Sequence, residues 1–400
     1  MTRSALPQNF ALTGVTLLEG FENIANWTVT GGTKEANTTQ FKTGTQSLKL
    51  TVDSGSTNVE ATKNISILLL PYKTLGLWVY CHDTSPNTTI ASIYIYITSL
   101  TNWTKYFYIA DSEFKHGWNL LRFSKVSFSN SSGDSWGSTM VRLRVKVNAR
   151  TDQMPVVSFD SFEGGFLGLP KVCLTFDDID ATAYSEGYTY MNTKGLKGTF
   201  YAIQNRADTA GNMTTEQLNT AYAAGWAIAN HTSDHTWLDT LATQPEIEAK
   251  ISDCDDWLIA NGWTRSAYHL AYPGGNYNDL VLAAVANLGM KTARSIIRRK
   301  QSMPYENIYT INCFSLINTD TLATVKSWIS QAVSAEVTCF INFHKITAGA
   351  ATQVEWSIAN FQGLIDWLVE KKYDVLTIDE WYEGLTNPRY RSLPLGRATT

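Results

Sequence analysis

The sequence predicts two domains of different fold class, an antiparallel β-sandwich followed by an α/β domain. Residues 14–165 are rich in Thr, Ser and Asn and carry short alternating strands with almost no helical periodicity. Residues 166–388 alternate short apolar runs with amphipathic helical stretches, which indicates a parallel sheet covered by helices. A length of 400 residues is too great for one typical core and suits this pair of domains, leaving tails at 1–13 and 389–400.

The first domain shows the period-two pattern of strands that are buried on one face. Clear examples lie at residues 47–52, 91–97 and 141–147, with turn-rich segments between the strands. Short strands with such separators are typical of an antiparallel β-sandwich, and we expect a jelly roll.

The second domain is predicted to alternate seven strands with helices. The expected strands cover residues 171–176, 198–203, 226–230, 268–271, 308–311, 337–343 and 373–378. One helix follows Pro245 and should end at Asn261; its apolar face consists of Ile247, Ile251, Cys254 and Leu258. A second helix is expected over about residues 356–371; its apolar face consists of Ile358, Phe361, Ile365 and Leu368.

Two acidic residues end the first strand of the second domain. Asp177 and Asp178 directly follow the apolar run at 171–176. Adjacent side chains of an extended chain point in opposite directions, so the two carboxylates can take different roles in one site. An isolated pair of acidic residues more often caps a helix or lies in a solvated loop. A catalytic role for this pair therefore requires other functional residues in the same site.

Two histidines end a later strand, at 226–230. His231 and His235 are four residues apart, and a helical turn would bring them onto one face. Two neutral imidazoles and one carboxylate, with positions left for water, form a catalytic site for zinc or a similar divalent ion. Because the chain contains only six histidines, this pair after a strand-end Asp-Asp predicts a metal site with a spare acid.

These runs resemble motifs of a known family, the polysaccharide deacetylases with a NodB homology domain, carbohydrate esterase family 4. Residues 175–178 are similar to the first motif of the family and residues 231–235 to its His-[Ser/Thr]-x-x-His motif. Residues 271–275 resemble the third motif and residues 341–344 the fifth. The resemblance covers about residues 171–385 and implies an incomplete, distorted (β/α) barrel.

The resemblance also implies a role for each matched residue. Asp177 would be the general base and His344 the general acid. Asp178, His231 and His235 would bind one divalent ion, for which we expect zinc, with cobalt, nickel or manganese as alternatives. Acetyl groups would be hydrolysed by attack of metal-bound water.

The residues around the third motif are expected to contact the substrate. The backbone N–H of Gly274 would donate to the oxyanion, since small residues let the backbone approach a ligand closely. The expected substrate contacts are Tyr272, Pro273, Gly275, Tyr277 and Trp237. For the aromatic members, ordinary core packing is an equally good interpretation.

The sequence departs from the family pattern in several places. Ala271 occupies the position of the arginine that steadies the catalytic aspartate, and Arg294 or His269 could replace it. Lys345 follows His344 where aspartate is common, and no clear fourth motif, the Asp and Trp pair that tunes this histidine, is found. These gaps motivate a rival hypothesis, a glycan-binding adhesin with impaired catalysis.

The sandwich resembles, more loosely, the carbohydrate-binding-module type. The similarity lies at residues 18–22, 47–50, 117–119 and 159–160. It implies sugar binding and a structural calcium ion. Candidate calcium ligands are Glu19, Glu22 and Asp160, although acids of this kind are more often solvated surface residues. Candidate sugar platforms are Trp27, Trp103 and Trp136, with core packing as the alternative.

Composition limits the class of partner. A net charge of −4 and a pI near 5.9 argue against a nucleic-acid partner, which requires a basic face. No run of about 18 apolar residues occurs, so no membrane span is expected. Five cysteines without paired spacing indicate neither a disulfide framework nor a cysteine zinc site.

The leading functional hypothesis is a metal-dependent deacetylase acting on a cell-surface or extracellular glycan. We expect N-acetyl groups as substrates, or O-acetyl groups if the unusual third motif widens the cleft. Hydrolysis of a small amide is a further alternative, although the attached sandwich favours a polymer. Residues 1–10 lack the apolar segment of a signal peptide. We therefore expect an extracellular or cell-surface protein whose signal is absent from this sequence, or a phage virion component with virion assembly partners.

Overall fold

The computed structural model describes residues 15–165, 171–299 and 307–386, which form two compact units. Residues 15–165 make up the sandwich domain, and most residues from 171 onward make up the α/β domain. The predicted tails at 1–13 and 389–400 lie outside the described residues, and the predicted domain boundaries stay predictions.

The sandwich domain is built from antiparallel strands. These are β1 (Thr16–Glu19), β2 (Thr28–Thr30), β3 (Gly32–Asn37), β4 (Ser47–Val52), β5 (Asn58–Leu68), β6 (Thr74–Cys81), β7 (Ile90–Thr98), β8 (Tyr106–Asp111), β9 (Gly117–Ser124), β10 (Ser129–Ser131), β11 (Thr139–Ala149) and β12 (Val156–Gly164). One four-residue helix, α1 (Pro86–Thr89), precedes β7. The first sheet has the order β3-β4-β12-β6-β9, with β1 also paired to β12, and the second has the order β10-β8-β7-β11-β5-β2.

The two sheets share one apolar core. The period-two pattern decides which side chains enter it: Ile93, Ile95 and Ile97 of β7 are buried, whereas Tyr94 and Tyr96 between them face outward and are half-buried. The core contains buried residues of both sheets. The predicted antiparallel architecture is therefore confirmed, and the jelly-roll connectivity stays a prediction.

One of the three predicted sugar platforms, Trp27, lies in this core, so the prediction was wrong for it. Trp27 is 1% exposed and stacks on Phe21 at 4.9 Å between ring centroids. A ring enclosed as Trp27 is offers no face to a sugar, because its apolar area is already buried by neighbours. Trp136 stacks on Phe107 at 3.7 Å but is only partly buried, as is Trp103, so their role as sugar platforms stays a prediction.

The predicted calcium ligands do not converge. Glu19 forms an ion pair with Lys63 at 2.6 Å. Glu22 and Asp160 accept hydrogen bonds from backbone N–H groups of residues 42–45. Among the described residues, these acids belong to no group of three that could hold a metal. Each carboxylate is stabilised by a protein donor. The role of these acids as calcium ligands stays a prediction.

The α/β domain alternates strands and helices. Its strands are β13 (Val172–Asp177), β14 (Thr199–Ala202), β15 (Ala227–Asn230), β16 (His269–Ala271), β17 (Thr292–Arg294), β18 (Phe314–Ser315), β19 (Cys339–Phe343), β20 (Lys345–Thr347) and β21 (Glu355–Ser357). Its helices are α2 (Thr189–Thr193), α3 (Thr215–Ala223), α4 (Gln244–Ala260), α5 (Asp279–Asn287), α6 (Leu322–Ser334), α7 (Ile358–Lys371) and α8 (Ile378–Thr386).

Seven of these strands form one parallel sheet in the order β17-β16-β15-β14-β13-β19-β18. Its two edges are linked by one stretch of chain. Ile311 bridges Arg294 of β17, and β18, which begins three residues later, pairs with β19. The sheet therefore curls into an incomplete barrel, as the resemblance implies.

The strand predictions were wrong at two places. The expected strand at 308–311 contributes only the bridge of Ile311, and the strand expected at 373–378 contributes only a bridge from Val375 to Val172. The edge strands β17 and β18 were not predicted, because two or three residues are too short for a detectable pattern.

Both predicted helices are present. In α4 the predicted face is buried, and a capping box between Thr243 and Glu246 fixes its start. Helix α7 begins two residues later than expected because Trp356 belongs to β21 and Ser357 caps the helix, accepting from the N–H of Asn360. Within the described chain, no helix has the length and hydropathy of a membrane span. The five cysteines are buried and free.

Candidate active site

The predicted functional side chains follow the carboxyl ends of neighbouring parallel strands. Asp177 is the last residue of β13, and Asp178 comes next. His231 directly follows β15, and His344 directly follows β19. Because β15, β14, β13 and β19 are adjacent in one parallel sheet, all four side chains lie at the same edge, where barrel enzymes carry their catalytic groups.

Asp178, His231 and His235 form a compact group whose ligand atoms all lie within 4.8 Å of one another. Oδ1 of Asp178 lies 3.5 Å from Nε2 of His235 and 3.9 Å from Nε2 of His231. Nδ1 of His231 lies 2.8 Å from the carbonyl oxygen of Ala271. A carbonyl only accepts, so Nδ1 carries the proton and Nε2 presents its lone pair towards Asp178.

The histidines meet through a loop and not through the helical turn that the sequence suggested. Thr232 and His235 adopt positive φ angles of 68° and 64°. The loop is fixed by side chains: Asn230 accepts from the N–H of Thr232, and Thr232 accepts from the N–H of His235. The ring centroids of the two histidines are 4.9 Å apart. The four-residue spacing therefore correctly indicated that the two histidines lie close together, but a loop and not a helical turn brings them there.

The donor set fits a divalent metal ion. Oδ1 of Asp178 is buried and accepts no hydrogen bond from the described residues, although Nη1 of Arg206 lies 3.0 Å away as an ion-pair partner. Burial lowers the pKa of His231, and burial together with His231 lowers the pKa of His235 to about 4. Both imidazoles are therefore neutral at physiological pH, which metal binding requires.

Asp177 is held beside this group by two donors. It is 3% exposed. Oδ1 accepts a hydrogen bond from Nη2 of Arg294, and Oδ2 accepts one from Nδ2 of Asn342 at 3.0 Å. Burial raises the pKa of Asp177, but the attraction of Arg294, His231 and His344 outweighs it and leaves the pKa below the usual value. The carboxylate is therefore ionised and able to accept a proton.

Arg294 supplies the cation that the sequence lacks at Ala271. The two residues are register partners, at the ends of β17 and β16. Arg294 is 1% exposed, and its guanidinium also lies over the ring of Tyr201 at 4.8 Å. His269, the other candidate, is fully buried two residues earlier on β16 and bonds to Thr292. Of the two candidates, Arg294 is therefore the residue that contacts Asp177, and it does so from β17, the strand next to the family position on β16.

His344 is half-buried, and its Nδ1 has no hydrogen-bond partner among the described residues. This agrees with the missing fourth motif, whose aspartate would be expected to contact this histidine. Phe176 and Phe343 are register partners in β13 and β19, so Asp177 and His344, which directly follow them, lie at neighbouring strand ends.

Most of the predicted substrate contacts are buried, which corrects the prediction. Tyr272 is 1% exposed and its hydroxyl donates to the carbonyl of Tyr309 at 2.8 Å. Pro273 and Gly275 are buried, and Tyr277 packs on Tyr272. Tyr272, Pro273 and Gly275 therefore shape the turn and the core, because a buried ring cannot stack on a sugar. Tyr277 is only partly buried, and its contact with the substrate stays a prediction.

Trp237 remains available to a substrate. Its side chain is 51% exposed, in contrast to the buried tryptophans of the domain. Gly274, with φ 65°, lies directly against it: a Cβ built on Gly274 would be 3.0 Å from the indole. The glycine therefore makes room for a tryptophan contributed by the histidine loop. The role of the Gly274 N–H at the oxyanion stays a prediction.

Two residues of the site were missed by sequence reasoning. Asn342 lies inside an apolar strand, and an amide at such a position is a signal that could have been used. Arg206 ends a short 3-10 helix after β14, and nothing in the sequence connects it to Asp178.

Residues 168–293 match the family model described as polysaccharide deacetylase. A Bacillus subtilis protein with the provisional name polysaccharide deacetylase YxkH is 28% identical over 136 residues, which are 33% of this chain and 48% of that protein. The chain thus spans about half the length of this curated relative.

Two solved structures are also similar to this chain. Streptococcus pyogenes deacetylase PplD in complex with acetate is 22% identical, with 39% of this chain and 69% of that chain covered and a TM-score of 0.37. A family 4 acetyl xylan esterase from Clostridium thermocellum in complex with a cobalt ion is 16% identical, with 56% and 95% covered and a TM-score of 0.39.

Proposed function

Because the α/β domain of this chain belongs to the polysaccharide deacetylase family, we propose that it hydrolyses acetyl groups on a cell-surface or extracellular polysaccharide. We propose N-acetyl groups before O-acetyl groups. The observation that carries the proposal is a buried, ionised carboxylate, Asp177, beside a group of two neutral imidazoles and one carboxylate that fits a metal ion.

Asp178, His231 and His235 would hold the metal, and we propose zinc. When bound there, a divalent ion lowers the pKa of a coordinated water and polarises the acetyl carbonyl. Asp177 accepts the proton of the attacking water, while Arg294 and Asn342 fix the direction of its carboxylate. His344 donates a proton to the leaving nitrogen or oxygen. These roles are assigned from position and from family resemblance together.

The rival adhesin hypothesis rested on the missing arginine. Arg294 weakens that argument, because it provides the same kind of contact from the next strand. One difference from the family pattern remains: Nδ1 of His344 has no hydrogen-bond partner among the described residues. We therefore propose that the protein is a hydrolase whose general acid, His344, is held less firmly than in the family pattern.

Acetate release from acetylated polymers tests the proposed function. Metal-stripped protein should release acetate from N-acetylglucosamine polymers only after zinc or cobalt is added, with chitin oligomers, peptidoglycan and acetylated xylan assayed in parallel. The matched control is His235→Ala, which should lower zinc affinity by at least about a hundredfold and abolish release at the same zinc concentration. Zinc bound at one equivalent without release from any polymer would contradict the proposal and favour the adhesin.

Trp237→Ala is expected to raise KM for a polymer about tenfold, with little change in kcat on a small acetylated substrate. The exposed indole is placed to stack on a sugar unit next to the reacting one, so its loss weakens binding of the chain and leaves the chemistry intact. Steady-state kinetics on oligomers of increasing length provide the measurement, with Trp367→Ala, which removes a partly buried ring of α7 that packs on Tyr373, as the control. Equal effects on short and long substrates would contradict this role.

The place of action stays a prediction. We propose an extracellular, cell-surface or virion-associated protein, since the substrate is a polysaccharide outside the cell. Detection of the protein in purified phage particles would support the virion alternative and its assembly partners.

A further inference from the structure

The outer face of the second sheet of the sandwich carries a group of aromatic rings, here called the tyrosine strip. It consists of Tyr94 and Tyr96 of β7, Tyr106 and Tyr108 of β8, and Trp103 in the loop between these strands. The ring of Tyr96 lies 5.5 Å from that of Tyr94, 5.7 Å from that of Tyr106 and 5.9 Å from that of Tyr108. Each ring is partly exposed, so the strip offers a continuous aromatic surface.

A row of cations runs beside the strip. On β11, Arg144 is the register partner of Tyr96, and Lys146 that of Tyr94. Arg142, the next outward residue, donates to Asn64. Glu60 is the carboxylate in this row and pairs with both Arg144 and Lys146, at 3.1 and 2.9 Å. Three cations against one carboxylate leave a positive surface on a protein whose net charge is −4.

The strip and the cations form one surface. The guanidinium of Arg144 lies 4.3 Å above the ring of Trp103 and 5.9 Å from that of Tyr96. Burial raises the pKa of Tyr96 to about 12, so its hydroxyl stays a neutral hydrogen-bond donor. Cross-strand pairs such as Tyr96 and Tyr108 stabilise the sheet modestly, but a contiguous aromatic surface of five rings on an outward face is typical of a binding site.

We propose that the tyrosine strip binds an acidic polysaccharide laid across β8, β7 and β11. Tyrosine rings present apolar faces to the C–H faces of sugars and hydroxyls to the sugar hydroxyls. Arg142 and Arg144 pair with carboxylates of the glycan, for which guanidinium geometry is suited. The positive excess selects an acidic chain over a neutral one.

A single-stranded nucleic acid would also use aromatic rings and cations. Its phosphates require a basic groove along the whole path, whereas two of the three cations here are already paired with Glu60. The observations therefore favour a glycan with spaced charges. The inference concerns binding and does not rest on the catalytic assignment.

Affinity electrophoresis of the full chain tests the proposal. The probes are polygalacturonate and hyaluronan, each paired with its methyl-esterified, neutral form. We expect retardation by the acidic forms, weaker retardation by the esters, and weakening of acidic binding by salt. Tyr96→Ala should weaken binding about tenfold. The matched control is Tyr80→Ala, which removes a half-buried tyrosine from the first sheet and should bind as the parent does.

Circular dichroism and thermal unfolding show whether each variant is folded, so a loss of binding is read separately from a loss of folding. Equal binding of acidic and neutral forms, or no binding of either, would overturn the proposal. So would loss of binding with Tyr80→Ala but not with Tyr96→Ala, or tighter binding of single-stranded DNA than of either glycan.

Discussion

Replacing Asp177 by asparagine is expected to lower acetate release by about 10²- to 10⁴-fold, the usual contribution of a general base. The substitution keeps the shape of the side chain and removes the charge that accepts the proton. Asp177 does not belong to the group of three ligand atoms. We therefore expect zinc affinity, measured by chelator competition, to stay close to that of the parent protein.

The neighbouring residue provides the matched control. Asp178→Asn changes the same functional group one residue later and removes the carboxylate ligand that faces both imidazoles. It should lose zinc affinity and activity together. A full activity of Asp177→Asn would refute the assignment of the base, and a loss of zinc as large as that of Asp178→Asn would make Asp177 a ligand instead.

The sequence predicted what depends on local patterns. Helix α4 was predicted with its buried face because apolar residues recur there with helical period. The ends of β13, β15 and β19 were predicted because acidic residues or histidines follow apolar runs there. One carboxylate and the two histidines could therefore be proposed as one group, since parallel strands bring their carboxyl ends together. The choice of Asp178 as that carboxylate came from the family resemblance.

What depends on tertiary packing was not predictable in the same way. Arg294 is 117 residues from Asp177 in the chain, and it reaches the carboxylate only because the sheet curls. Tyr272 and Trp237 are both aromatic residues beside a motif, yet one is 1% and the other 51% exposed. Residue type does not distinguish a core ring from a binding ring, because both roles favour the same side chains.

The largest effect on stability is expected for Arg294→Ala. This change leaves the carboxylate of Asp177 buried without its cation, which should lower the free energy of unfolding by about 3–5 kcal/mol. It should also reduce activity, because Asn342 alone would then orient the carboxylate. Chemical denaturation and acetate release measure the two effects.

The register of β16 and β17 allows a test that separates positioning from stability. Ala271 and Arg294 are neighbours across these strands, and Ala271 stands at the position where the family has its arginine. The double variant Ala271→Arg/Arg294→Ala returns the cation to that position and frees the space that Arg294 occupied. We expect it to recover part of the activity and stability lost in Arg294→Ala, whereas Ala271→Arg alone should be destabilised by overpacking a fully buried site.

A double variant that is folded and stable but as inactive as Arg294→Ala would show that a cation beside Asp177 is not sufficient. Catalysis would then require the particular direction from which Arg294 approaches.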